Sequence, residues 1–178
     1  AKRLASEGVK ELVLVAQETT LYGKDLTGEK QLPLLLHELC KIEGIEWIRL
    51  LYCYPEEITD ELIKVIKTEE KVCNYIDMPI QHSENRILQR MGRRTSREDL
   101  VAVIKKLRKE IPDITIRTTL ITGFPGESQE DHEGLMNFVE ECQFDRLGVF
   151  TYSPEEDTLA ATFEDQIDEE VKEERRDE

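Results

Sequence analysis

The sequence predicts an α/β fold with a parallel sheet, curved into an open or incomplete barrel. Three observations carry that prediction. First, five apolar segments rich in Val, Ile and aromatics recur at Leu12–Ala16, Trp47–Tyr54, Tyr75–Ile80, Ile114–Thr122 and Leu147–Tyr152. Second, the segments between them have helical periodicity, and strand–helix alternation means parallel strands joined by right-handed crossovers. Third, Arg49, Asp77 and Arg117 fall in the middle of successive strands. Parallel strands covered on both faces are nearly all apolar, and a buried unpaired charge costs several kcal/mol. A closed barrel filled with branched side chains does not hold such a series easily. An open one, with a wet interior that receives a charged ligand, does. An ionic ladder in which Asp77 neutralises both arginines explains the series equally well, and the two explanations are compatible.

The elements follow in order. Ala1–Glu7 reads as the end of a helix whose preceding strand is missing. After the first strand, Leu32, Leu35, Leu36 and Leu39 fall at i, i+3, i+4 and i+7. Thr59 is placed as the N-cap of the helix after the second strand, and Ser96 as that of a helix carrying Leu100, Val103, Ile104 and Leu107. The strand Ile114–Thr122 runs into Gly123-Phe124-Pro125-Gly126. Ser128, with Asp131 in the first turn, then caps a helix carrying Leu135, Phe138, Val139 and Cys142. After Phe163 the chain turns acidic and loses apolar periodicity. The expected organisation is a domain over 1–163 and an acidic linker, solvated helix or disordered tail over 164–178, leading toward a further domain.

Composition narrows the function classes. A chain of 178 residues builds one sizeable core. A net charge of −15 argues against direct nucleic-acid binding, which needs clustered Lys and Arg, and favours a basic macromolecular partner. No apolar run approaches a membrane span and no signal peptide is visible, so a soluble, cytoplasmic protein is expected. Cys40, Cys53, Cys73 and Cys142 form no C-x-x-C pair or other compact metal spacing, and read as free thiols. His37 and His132 read as surface or packing residues.

The strand ends are polar. They read Gln17-Glu18-Thr19-Thr20, Tyr52-Cys53-Tyr54-Pro55, Pro79-Ile80-Gln81-His82-Ser83, Gly123-Phe124-Pro125-Gly126-Glu127 and Tyr152-Ser153-Pro154. In a parallel sheet these ends share one face, where βα ligand sites form. The two glycines allow close backbone approach and Pro125 stiffens the turn. Glu18 is suited to accept from a ligand ammonium group. His82 reads as an acid–base group or as a loop imidazole beside Ser83. Met91-Gly92-Arg93-Arg94-Thr95 is a local basic patch, open to an anionic substrate or to a solvated helix junction.

In combination these motifs resemble the radical S-adenosylmethionine methylthiotransferases. The resemblance rests on Gln17-Glu18-Thr19-Thr20-x-Tyr22-Gly23, Tyr54-Pro55, Asp77-Met78-Pro79-Ile80-Gln81-His82-Ser83 and Met91-x-Arg93-Arg94. It continues through Arg117-Thr118-Thr119-x-Ile121-x-Gly123-Phe124-Pro125-Gly126-Glu127 and Phe144-Asp145-Arg146-x-Gly148-Val149-Phe150-x-Tyr152-Ser153-Pro154. Gln-Glu-Thr-Thr together with Pro-Ile-Gln-His resembles the branch that modifies an aspartate of a small-subunit ribosomal protein. The resemblance implies a six-stranded (β/α)6 partial TIM-type barrel, of which this chain carries strands two to six. It implies Gln17 and Glu18 near the amino group of S-adenosylmethionine and Gln81 and His82 near its ribose. It implies Arg117 near its carboxylate or the barrel interior, and Ile121, Gly123 and Phe124 along the adenine. The implied chemistry uses a 4Fe-4S cluster and S-adenosylmethionine to insert a methylthio group at the aspartate β-carbon.

The family's C-x-x-x-C-x-x-C cluster motif is not in this chain, and thiolates are what hold such clusters. The expectation is therefore that the cluster cysteines lie upstream of Ala1, and that the piece alone binds no cluster and is inactive. The open sheet edge suggests self-association. Two other functions remain open: the tRNA-modifying branch of the same family, and a cluster-free β/α module that binds a nucleotide or a protein.

Overall fold

Neighbouring strands follow one another in chain order, and every observed pairing is parallel. The structure is a computed structural model describing residues 1–178. Its elements are α1 (Lys2–Ser6), β1 (Glu11–Leu14), α2 (Lys24–Thr27), α3 (Leu32–Cys40), β2 (Trp47–Leu50) and α4 (Asp60–Thr68). Then come β3 (Tyr75–Asp77), α5 (Asn85–Arg90), α6 (Arg97–Glu110), β4 (Thr115–Thr122), α7 (Gln129–Cys142), β5 (Arg146–Thr151) and α8 (Glu169–Asp177). All five expected strands form, several of them shorter than their apolar segments. β1 pairs with β2, and β3, β4 and β5 form a second ladder. Main-chain bonds link β2 to the β3 segment: Cys73 N to Ile48 O and Cys53 N to Asp77 O, both 2.9 Å. The sheet does not close, and β1 and β5 are its outer strands.

Burial alternates along β2 and β4, as period-2 geometry requires. Leu12, Ile48, Leu50, Ile76, Ile116 and Leu120 are buried against the helices, where Leu36, Ile66, Leu88, Leu100, Ile104, Leu107, Leu135 and Phe138 meet them. Each such side chain contributes about 1.5–3 kcal/mol by leaving water. The opposite face carries Glu11, Val13, Arg49, Asp77, Arg117, Thr119, Ile121 and Phe150, brought level by the register Val13–Arg49, Asp77–Arg117 and Ile121–Phe150. No helix layer covers that face, and Val13, Trp47 and Phe150 are exposed on it.

The expected N-caps form. Thr59 accepts from Leu62 N, and Ser96 with Asp99 and Ser128 with Asp131 make reciprocal capping boxes. Each satisfies amides that a helix start leaves orphaned, worth about 1 kcal/mol.

One expectation is corrected and another narrowed. Asp77 does not neutralise both arginines. It pairs with Arg117 at 3.1 Å, while Arg49 bonds Glu11, diagonal to it across the β1–β2 pair, at 2.6 Å and lies over the Tyr75 ring. For the acidic tail, expected as a linker, solvated helix or disordered segment, the helix forms, and it is packed rather than fully solvated. Helix α8 packs on β4 and β5, with Lys172 and Arg175 nearly fully buried. Their long apolar stems cover the sheet while their charged heads find partners. No helix is long and apolar enough to cross a membrane.

Candidate functional site

The C-terminal ends of the strands form a polar rim holding several cavities, two of which meet at the basic segment. One, of about 430 Å³, is lined by Glu18, Tyr54, Glu56, Glu57, Arg93 and Arg94 among others. The second, of about 550 Å³, is lined by Gln81, Thr119, Ile121, Phe124, Phe150 and Tyr152 among others. Met91, Gly92 and Arg93 border both, so the basic segment is the wall between them. A third cavity, of about 560 Å³, lies at the opposite end of the strands beside Trp47, Arg49 and Cys73. The rim is the better candidate because convergent polar groups and the glycine turn meet there.

Backbone strain marks the same rim. Tyr52 and Gln81, each just past the end of a strand, hold φ of +55° and +71°. A left-handed residue other than glycine costs about 1–2 kcal/mol and persists only where its surroundings fix it. Here Tyr52 N donates to Asp77 Oδ2 at 3.1 Å. Gln81 is clamped by Gln81 N to Thr119 O at 2.9 Å and Ile121 N to Gln81 O at 2.8 Å.

The Gly123–Glu127 turn is held from several sides. Gly123 N donates to Glu127 Oε2 at 2.9 Å and Gly126 N to Asp165 O at 2.8 Å. From α5, Arg86 donates to Gly126 O at 2.7 Å and Arg90 to Pro125 O at 3.1 Å. Phe124 stacks edge-on against Tyr152, with ring centroids 5.1 Å apart. Gly123 is glycine for two reasons: φ is +70°, and a Cβ would overlap Lys172 Cγ.

The structure distributes the expected residues unevenly. Gln81, Ile121 and Phe124 share the larger cavity. Glu18 lines the smaller one, and Gln17 is exposed beside it. Arg117 lies deeper on the open face, paired with Asp77. Gly123 faces α8 rather than the cavity. His82 is fully buried: its Nδ1 accepts from Glu84 N at 3.0 Å and its Nε2 sits 3.4 Å from Glu127. Its side chain therefore braces the loop from behind. Arg86, Arg90, Arg93 and Arg97 of the basic segment and its flanks are committed to carbonyls or carboxylates. Arg94 is exposed at the cavity edge.

Residues outside the expected set also belong here. Tyr152 Oη is buried with no protein partner, on the wall of the larger cavity. Tyr52 is exposed at the rim. Both lie in the polar strand ends already read from the sequence; the strain at Tyr52 and the unsatisfied hydroxyl of Tyr152 become visible only in three dimensions.

Burial raises the Glu18 carboxyl; its Thr20 hydrogen bond opposes this, while Glu57 and Glu56 add to it. That makes Glu18 a receptive partner for a cation. The thiols are the reverse of metal ligands: burial pushes Cys53 up to about 12 and Cys40 and Cys142 up to about 11. No three His, Cys, Asp or Glu residues are grouped to hold a metal ion.

Residues 1–139 match the family profile described as the radical SAM superfamily. The ribosomal protein uS12 methylthiotransferase RimO of Lachnoclostridium phytofermentans is 66% identical over 172 residues, 97% of this chain and 39% of that protein. The protein of the same name from Clostridium perfringens is 61% identical over 178 residues, 100% of this chain and 40% of its own length. The chain thus spans about 40% of these relatives. Among solved structures, the radical SAM enzyme coproporphyrinogen III oxidase (HemN) of Escherichia coli superposes with a TM-score of 0.71 at 21% identity, over 94% of this chain and 38% of that one. The radical S-adenosylmethionine methyltransferase TsrM of Kitasatospora setae, with cobalamin and a 4Fe-4S cluster bound, gives 0.65 at 16% identity, over 84% and 29%. At these identities the likeness is one of fold.

Proposed function

The chain belongs to the radical SAM superfamily, and from that premise we propose that it is the central part of a methylthiotransferase acting on ribosomal protein uS12. The observation that carries this is the 66% identity, over nearly the whole chain, to a protein of that activity. The five parallel strands in chain order, with one face open, are read as strands two to six of a (β/α)6 partial barrel. The first strand would lie beside β1, the edge through which the isolated chain would self-associate. Residues 1–163 are read as this domain, with α8 sealing its last strands and leading toward the next domain.

The larger cavity fits S-adenosylmethionine. It offers an apolar slot between Ile121, Phe124 and Phe150, the strained Gln81 backbone, and an unsatisfied buried hydroxyl on Tyr152. Glu18, across the Met91–Arg93 wall, is suited to the ammonium group. Arg117 keeps its guanidinium on the open face, held by Asp77, to meet a carboxylate. When bound, S-adenosylmethionine would supply, on accepting one electron from a reduced 4Fe-4S cluster, the chemistry that removes hydrogen from an unactivated carbon. The rim residues bind and orient it, and Phe124, Tyr152 and Phe163 exclude water from one side.

A 4Fe-4S cluster does not fit the residues present. The four cysteines are dispersed, and three carry thiols whose pKa lies near 11 to 12. The cluster's ligands therefore belong to the rest of the protein. The net charge of −15 favours a basic ribosomal protein over tRNA as substrate. The reaction then takes place in the cytoplasm, where the ribosome is.

The test is a mass measurement. Cluster-loaded full-length protein is incubated anaerobically with a reductant, S-adenosylmethionine, a sulfur source and either uS12 or tRNA. The reading requires a methylthio adduct on an aspartate of uS12. An adduct on tRNA alone, or on neither, contradicts it.

A further inference from the structure

The structure assigns Arg175 of α8 as a positioning residue for the Gly123–Glu127 loop, acting through the buried carboxylate of Glu127. Arg175 Nη1 donates to Glu127 Oε1 at 2.8 Å and to Glu127 O at 3.1 Å. The other carboxylate oxygen, Oε2, accepts the Gly123 amide at 2.9 Å. The Glu127 side chain is completely buried and Arg175 nearly so. A single carboxylate therefore joins the last helix to the first residue of the turn.

The arrangement is one-sided in charge. The two imidazoles near Glu127, His82 Nε2 at 3.4 Å and His132 Nδ1 at 4.0 Å, lack a hydrogen-bond partner. His132 Nε2 is already engaged with Glu178 at 2.9 Å. Arg175 is thus the permanent cation beside a buried anion, and its guanidinium donates to two oxygens of one residue. Lys172, one turn earlier, packs its stem against Gly123 on the same side. Without Arg175, the Glu127 carboxylate is left in a dry site with the Gly123 amide and two imidazoles. Reorientation toward water is then favoured over the bond that fixes Gly123. The acidic tail, which reads as a linker, solvated helix or disordered segment, becomes part of the site. This inference deepens the reading of the turn as the adenine-side loop and rests on it for its functional meaning.

The test is amide hydrogen exchange on this chain for wild type, Arg175→Met and the double variant Glu127→Gln/Arg175→Met. In Arg175→Met, Gly123 exchange should accelerate at least about ten-fold relative to the buried α6 amides of Ile104 and Leu107, the scale of one charge-assisted hydrogen bond. In the double variant, a neutral carboxamide at position 127 still accepts from Gly123 without needing a counter-charge. That variant should therefore return to within about three-fold of wild type. The proposal is overturned if Gly123 follows Ile104 and Leu107 in Arg175→Met, or if the double variant exchanges as fast as the single. A separate arm adds S-adenosylmethionine to the cluster-loaded full-length protein. Failure to slow exchange around Gly123 there would sink the adenine-side reading and leave the Arg175 link standing.

Discussion

Asp77 accepts a hydrogen bond from Arg117 Nη1 at 3.1 Å, and its second oxygen takes the strained Tyr52 amide, also at 3.1 Å. One buried carboxylate thus serves three strands: it sits on β3, neutralises β4 and fixes the bend that ends β2. Asp77→Ala removes both bonds and leaves the half-buried Tyr52 amide without its partner. The expected cost is about 2–3 kcal/mol, below that of a fully buried pair because Arg117 is partly solvated. Asp77→Asn, which keeps an acceptor for Tyr52, should lose less. Urea midpoints with unchanged m-values check both.

Gly123→Ala should destabilise by roughly 2–4 kcal/mol, from the left-handed φ and from the clash with Lys172. Combining it with Lys172→Ala removes the overlap with Cγ but keeps a tight 3.0 Å approach to Cβ and the φ cost, so part of the loss should return. Thermal unfolding of the single and double variants measures this. Equal loss in both would mean that the clash is not what excludes a side chain there.

Glu18 gives the rim a pH signature. Burial, with Glu57 and Glu56, raises its carboxyl above the ordinary 4.5. The folded state then holds the proton more tightly than the unfolded chain, so this group's contribution to stability falls as pH rises through that window. Glu18→Gln removes the penalty, and its stability relative to wild type should increase from acid toward neutral pH. A bound ammonium should pull the Glu18 titration back down, which carboxyl-carbon NMR reads directly. A titration indifferent to S-adenosylmethionine would exclude Glu18 as its partner.

The cysteines should be inert in the native protein. Thiols held near 11 to 12 by burial present almost no thiolate at neutral pH. Iodoacetamide at about pH 8, just below the ordinary thiol pKa, should leave Cys40, Cys53 and Cys142 unmodified and alkylate them readily in urea, as peptide masses would show.

Much of the fold was legible because it depends on period. The strand–helix alternation, the three N-caps and the apolar faces of α3, α6 and α7 are local signals, and they hold in the structure. The charges at Arg49, Asp77 and Arg117 correctly marked an uncovered sheet face, but not which carboxylate each arginine meets. Pairing depends on register and side-chain reach, which one strand's sequence does not contain. The burial of His82 and the packing of α8 were not legible for a related reason. A histidine in a loop and a charged tail look solvated in one dimension. Only the fold shows that Glu127 is buried beneath them and draws His82 and Arg175 inward.

The central claim is that S-adenosylmethionine lies in the cavity between β3, β4 and β5. The most direct measurement is amide chemical-shift mapping of the ¹⁵N-labelled, cluster-loaded full-length protein with S-adenosylmethionine, its reactivity blocked by omitting reductant. Perturbations should centre on Gln81, Thr119, Ile121, Phe124, Phe150 and Tyr152, leaving Trp47, Cys73 and Asn74 at the far end of the strands unmoved. Shifts centred on that far end, or saturable binding that leaves Ile121 and Phe124 untouched, would contradict the account.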